Sequence, residues 1–319
     1  MGLAFIKFTV LLNSDTNKYK VNMAQYTIGD AMKIGFIGIG VMGKPMATNI
    51  LKSGYELICY NRTKEKLSAL KDKGALIADS VDDVIQWADT IIFMLTTPEI
   101  IESTLIKNIK DLNIYQGKTI INMGTISPSF STKLKEQLEK FNAKYVDAPV
   151  SGSKKPAEDG NLIIMTSGDH KIIDGLNPLF KTMGNKITYC GEIPKASMIK
   201  LSVNLLILHM MEGFSEMVNF AKKGGIDLSF LFEIVLSGQV SNDLYKMKHK
   251  NFIREEFPVQ GSVKNGIKDL KLITKTAKEI GAYIPLTDLN LEMYLKAKDF
   301  GYDEEDFSVV IKVLELENY

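Results

Sequence analysis

Three glycines spaced Gly38-Ile39-Gly40-Val41-Met42-Gly43 follow a short apolar run, Ile34 to Ile37, and open a helical pattern. This is the G-x-G-x-x-G turn of a dinucleotide site. Gly38 permits the tight turn, Gly40 lets the backbone approach a pyrophosphate, and Gly43 allows the helix to pack on the sheet. The helix N-terminus adds free N–H groups and the positive end of its dipole. A second strand, Leu57 to Tyr60, leads into Asn61-Arg62-Thr63, with Lys66 close behind. A site for NAD places an acid there to bind the ribose 2′-hydroxyl. Arg62, with an amide and a hydroxyl beside it, instead suits a 2′-phosphate through charge-assisted hydrogen bonds worth ~1.5–3 kcal/mol each. The expected cofactor is NADPH. Leu95 and Thr96, at the end of the third strand, join the candidate cofactor positions.

A second group of residues lies further along. Lys200 and Asn204 are four apart near the start of a long helical pattern and share one face. A lysine in a cleft beside a nicotinamide suits a proton donor, although taken alone it reads first as a solvated helical lysine. Asn204 interrupts an apolar stretch and needs a partner if buried. The segment Asp147-Ala148-Pro149-Val150-Ser151-Gly152-Ser153 follows the last core strand of the first half and reads as a loop. Its N–H groups and hydroxyls from Ser151 through Gly152 to Ser153 suit a carboxylate nest, and equally a plain turn.

The elements that must position these residues are legible as patterns. Apolar runs at Ile34 to Ile37, Leu57 to Tyr60, Thr90 to Leu95, Thr119 to Met123 and Leu162 to Thr166 alternate with helix signals, which predicts a doubly wound, mainly parallel α/β Rossmann domain. Ser80-Val81-Asp82-Asp83 resembles a capping box, and Ser127-Pro128 sets a helix start. After Pro194 the strands cease. Helices are expected over Ala196 to Lys223, Asp227 to Leu236, Val263 to Ile280, Pro285 to Asp299 and Asp303 to Glu317. The expected division is a nucleotide-binding domain over 32–194 and an all-α domain over 195–319. Residues 1–31 read as an extension, either disordered or upstream of the true translation start, because Met32 directly precedes the first strand and no secretory, mitochondrial or myristoylation pattern is complete.

With 319 residues, 45% hydrophobic and 24% charged, the chain suits a two-domain globular protein. A formal charge of +1 gives no pull toward nucleic acid or an anionic membrane, and no apolar stretch approaches the ~20 residues needed to span one. The only cysteines, Cys59 and Cys190, are far apart and fit a reducing, cytoplasmic setting, while the scattered His170, His209 and His249 offer no metal site. The apolar face Leu201-Leu205-Leu208 suggests packing on another subunit, as a homodimer or homotetramer.

In order and spacing, the glycine turn, Asn122-Met123-Gly124-Thr125-Ile126-Ser127-Pro128, the Asp147 to Gly152 segment, Lys200 with Asn204, and Lys268-Asp269 resemble the β-hydroxyacid dehydrogenase family, related to 3-hydroxyisobutyrate dehydrogenase. Asn61-Arg62-Thr63 and Ser151 to Glu158 look like its glyoxylate/succinic semialdehyde reductase branch. The resemblance implies that Lys200 is the catalytic lysine and that Ser151, Gly152 and Asn204 bind substrate. It implies that Thr125 and Lys268 contact the cofactor and that Tyr245 sets an aromatic ring against the substrate. One departure stands out, since Pro194 and Ala196 replace frequent glycines before the catalytic helix.

The implied activity is NADPH-dependent reduction of short aldehyde acids, with a small carboxylic acid as the sole partner class. The rival enzyme is a 3-hydroxyisobutyrate-type dehydrogenase, which the resemblance associates with an acid near position 61. A non-catalytic nucleotide-binding adaptor and an imine reductase are the other rivals, and both usually lack the lysine.

Overall fold

The computed structural model describes residues 8–13, 18–23 and 32–317. Strands β1 (Phe8–Asn13) and β2 (Lys18–Met23) pair antiparallel and belong to a unit, Met1–Met32, separate from Lys33–Tyr319. Beyond these two strands, the expected extension lies outside the described residues.

Short apolar runs become strands buried on both faces when helices cover them. Strands β3 (Ile34–Ile37), β4 (Leu57–Tyr60), β5 (Leu76–Ile77), β6 (Thr90–Phe93), β7 (Thr119–Asn122) and β8 (Lys144–Asp147) form one parallel sheet in the order β5-β4-β3-β6-β7-β8. Every residue of β3 and β6 is buried. The chain runs outward from β3 through β4 to β5, then returns to β6 and runs the other way. A crevice therefore opens at the carboxyl ends of β3 and β6, where such sheets bind ligands. Strand β6 stops at Phe93, two residues before the expected end, so Leu95 and Thr96 fall in the loop at that crevice.

Helices α1 (Gly43–Lys52), α2 (Ser68–Lys71), α3 (Val81–Trp87), α4 (Pro98–Glu102) and α5 (Pro128–Glu139) lie in the connections. The expected helix starts are present. Ser80 and Asp83 form a reciprocal capping box, and Ser127 Oγ accepts the Phe130 N–H at 3.2 Å.

A second sheet follows, in the order β11-β10-β9, from β9 (Val150–Ser151), β10 (Leu162–Thr166) and β11 (Gly184–Tyr189), with α6 (Lys154–Glu158) and α7 (His170–Phe180). Ser151 is thus a strand residue paired with Ile163, not a loop residue, because β10 offers it an antiparallel edge.

From residue 195 the chain is helical: α8 (Lys195–Lys223), α9 (Leu228–Ser237), α10 (Asp243–Arg254), α11 (Val263–Ile280), α12 (Pro285–Asp299) and α13 (Ile311–Leu316). At 29 residues, α8 is ~44 Å long. The last helix is shorter than expected. Asp306 is held by buried Lys248 at 2.7 Å and by the Gln260 and Gly261 N–H groups, so the chain at 303–306 serves as an anchor rather than a helical turn. Leu201 and Leu208 are buried within this chain, and Leu205 is half-buried. Among the described residues, no helix is long and apolar enough to cross a membrane.

Candidate active site

The glycine turn is shaped by what its backbone must pass. Gly38 has φ +101°, and a Cβ there would lie 2.4 Å from the Met94 carbonyl oxygen. A Cβ at Gly43 would stand 2.0 Å from the Gly38 carbonyl oxygen, whereas at Gly40 nothing lies within 4 Å. The turn is closed on its inner side and open where a phosphate would approach. Helix α1 begins there with no acidic residue in its first turn and no side-chain cap, so the positive end of its dipole is uncompensated, while the Lys44 N–H donates to the Gly40 carbonyl at 3.0 Å. Gly43→Ala is expected to reduce stability by about 1–3 kcal/mol through overpacking, read as the unfolding free energy from a urea titration.

A crevice of about 570 Å³ runs from this turn along the ends of β3, β4 and β6. Of the expected cofactor residues, Gly38, Gly40, Asn61, Arg62, Thr63, Lys66, Leu95 and Thr96 line it. Gly43 supports it from behind, Val41 points outward at 68% exposure, and Ile39 is buried beneath the turn. Asn61 has a second task. Its Oδ1 accepts the Ile39 N–H at 3.0 Å and its Nδ2 donates to the Thr63 carbonyl at 2.9 Å, which clips the glycine turn to the end of β4. Sequence reasoning missed the opposite wall, where Ile100, Ser103, Thr104 and Asn108 come from α4 and the π-helical turn Ser103–Lys107. The rim also carries Asp79, which Lys64 pairs at 2.7 Å, and Asp82, which accepts the Lys110 N–H. The glycine cradle, uncapped helix end and cationic Arg62 and Lys66 fit the phosphates of a dinucleotide.

Further along, α8 and α11 bring a second cluster together. Lys200 is 9% exposed, and burial brings its amine down to about 8; Asp269 opposes that shift while Lys268 adds to it. Asn204 Nδ2 donates to Asp269 Oδ2 at 2.7 Å, which supplies the partner that a buried amide needs. Lys268 Nζ lies 3.0 Å from Asp269 Oδ1 and donates to the Thr125 carbonyl at 3.5 Å, linking α11 to the segment after β7. Asp269 Oδ1 is buried without a well-directed hydrogen bond. Its role in uniting Lys200, Asn204 and Lys268 was not foreseen, although its place beside Lys268 was visible.

Ser151 is half-buried in β9, and Ser153 precedes α6 with its hydroxyl uncommitted to the helix. Gly152 between them has φ +129°, and a Cβ there would press 2.9 Å from the Leu162 side chain. Tyr245 stands apart from this group. Its ring stacks on Phe214 at 4.3 Å, and its hydroxyl donates to the Met210 carbonyl, ten residues or ~15 Å along α8 from Lys200.

Comparisons with known proteins bear on the family and the fold. Residues 33–191 match the NAD binding domain of 6-phosphogluconate dehydrogenase, and residues 195–314 match the NAD-binding model of NADP-dependent 3-hydroxyisobutyrate dehydrogenase. The chloroplastic glyoxylate/succinic semialdehyde reductase 2 of Arabidopsis thaliana is 35% identical over 89% of this chain and 79% of its own. Glyoxylate/succinic semialdehyde reductase 1 of the same plant is 34% identical over 89% and 98%. The crystal structure of 3-hydroxyisobutyrate dehydrogenase from Salmonella typhimurium shares the fold, with a TM-score of 0.80 at 24% identity over 88% of this chain and 99% of that one.

Proposed function

Because the chain belongs to the β-hydroxyacid dehydrogenase family, related to 3-hydroxyisobutyrate dehydrogenase, and is an NAD(P)-dependent oxidoreductase, we propose that it reduces short aldehyde acids such as glyoxylate and succinic semialdehyde with NADPH. The glycine turn, Arg62 and Lys66 would hold the dinucleotide, which when bound would supply a hydride for the aldehyde carbon. Lys200 Nζ donates a proton to the carbonyl oxygen as negative charge develops there. Asn204 and Asp269 hold the face of the cluster on which the amine sits, and the Ser151 to Ser153 segment receives the substrate carboxylate. Lys268 contributes positive charge near Thr125.

One observation carries this reading. The Lys200 amine is nearly buried, and burial brings it to about 8, so it remains mostly protonated at neutral pH yet is a far better acid than a solvated lysine. A non-catalytic nucleotide-binding module has no use for a cation held at that cost. The NADPH assignment rests on Arg62 and Lys66 in the crevice, with Asn61 rather than an acid at the end of β4.

The test is loss of NADPH absorbance with a panel of aldehyde acids. At least one of the two named substrates is expected to give kcat/KM above ~10⁴ M⁻¹s⁻¹, the lower end of the usual enzyme range. Oxidation of 3-hydroxyisobutyrate with no turnover of either aldehyde acid would overturn the substrate assignment.

A further inference from the structure

The start of α8 has no cap of its own. Pro194 occupies the N-cap position and makes no side-chain bond to the first turn, whose amides still need acceptors. They find them across the fold. The Ala196 N–H donates to Ser167 Oγ at 3.3 Å, and the Ser197 N–H donates to Asp147 Oδ2 at 3.1 Å. The Ser197 hydroxyl donates to the same oxygen at 2.5 Å, while Asn122 Nδ2 donates to Asp147 Oδ1 at 2.9 Å. Asp147 ends β8 and Asn122 ends β7; both have no exposed surface, and Ser197 has 1%. Asn122 is itself fixed, because its Oδ1 accepts the Gly124 N–H at 3.0 Å and its carbonyl accepts the Ala148 N–H at 2.7 Å. Among the described residues no lysine or arginine pairs with Asp147. Its titratable neighbours are the buried Tyr145 and the half-buried Cys190. Burial raises its carboxyl, while donors from Ser197, Asn122 and Ser131 draw it down.

We propose that Asp147 is a positioning residue, which caps α8 from the sheet and thereby sets the place of Lys200 one helical turn further on. Ser197 and Lys200 are three residues apart, so a shift of the first turn moves the amine with it. A carboxylate is well suited because all three bonds it receives come from donors, and the positive end of the α8 dipole favours its charge. An asparagine at this position turns an NH₂ group toward either Asn122 Nδ2 or Ser197. Asn122 cannot rotate to accept it without abandoning the Gly124 N–H. The proposal rests on the reading of Lys200 as the proton donor.

The experiment compares Asp147→Asn, Ser197→Ala and Lys200→Ala in NADPH-dependent aldehyde-acid reduction across pH. A misplacement of ~1 Å costs about 10²-fold in rate, so Asp147→Asn is expected to lower kcat by that order while KM for the aldehyde acid stays within a few-fold. In the parent protein, kcat falls as pH rises through about 8, the value set for Lys200 by burial, with Asp269 and Lys268 of α11 as the charged groups facing it. Displacement hydrates the amine, so in Asp147→Asn this alkaline limb moves to higher pH. Ser197→Ala keeps its amide bond and loses only the hydroxyl, and should show a smaller shift in the same direction. A loss of activity with the limb unmoved would mean fewer folded molecules and would overturn the proposal, as would parent-like kcat in both variants. If Asp147→Asn does not fold, Ser197→Ala decides by the same limb. If Lys200→Ala keeps its activity, the proton-donor reading fails first and this proposal falls with it.

Discussion

Lys200→Ala is expected to lower kcat for aldehyde-acid reduction by ~10²–10⁴-fold, or about 3–5 kcal/mol, with the fold and dinucleotide affinity retained. The size follows from what is removed. No other lysine in the cluster is free to replace it, since Lys268 stands 3.0 Å from Asp269 and donates to Thr125. Solvent is a poor substitute at a site that leaves only 9% of Lys200 exposed. The pH dependence gives a second reading. Reduction needs the protonated amine, so the parent rate falls as pH rises through about 8; oxidation of the hydroxy acid needs the neutral amine and rises through the same value. Both limbs should vanish in the alanine variant. Removing a costly buried cation should not harm stability, so thermal unfolding separates a lost proton donor from a lost fold. A variant that keeps most of its kcat and its alkaline limb would show that the proton comes from elsewhere.

The parts of the site that local chemistry dictates were legible in the residues alone. The glycine turn, the capped starts at Ser80 and Ser127, and the bounds of α11 and α12 each depend on a few adjacent side chains. Features that depend on pairing were not. The two-residue strands β5 and β9 exist because β4 and β10 offer them an edge, and no run of two residues announces that. Helix α10 carries four lysine or arginine residues among twelve, yet buried Lys248 anchors it to Asp306. The same limit applies to function. Lys200 reads as an ordinary helical lysine until α11 is laid across α8, bringing Asp269 against Asn204 and closing the cluster. Asn61 reads as an amide beside a 2′-phosphate, and only the folded chain shows that it also holds the Ile39 N–H. Tyr245 carries an aromatic ring suited to a substrate wall, but its stacking on Phe214 is a long-range fact.

Arg62→Asp is expected to reverse the cofactor preference. Arg62 lines the crevice just past β4 with Thr63 and Lys66 beside it, and the acids on the same rim are already engaged, Asp79 by Lys64 and Asp82 by the Lys110 amide. The guanidinium is therefore free to meet a 2′-phosphate. Two charge-assisted bonds at ~1.5–3 kcal/mol each favour NADPH over NADH by about 10²–10⁴-fold. A carboxylate at this position removes those bonds, repels the phosphate and offers an acceptor to a ribose hydroxyl. The kcat/KM for NADPH should fall by at least ~10²-fold, while that for NADH holds or rises. Lys66→Ala, which removes a charge without adding one, should cost NADPH far less, since an exposed ion pair is worth about 0–1 kcal/mol. Steady-state kinetics with both cofactors at saturating aldehyde acid measure all three proteins. Equal kcat/KM for NADPH and NADH in the parent would show that Arg62 is only a solvated residue at the start of the turn, whatever the variants do.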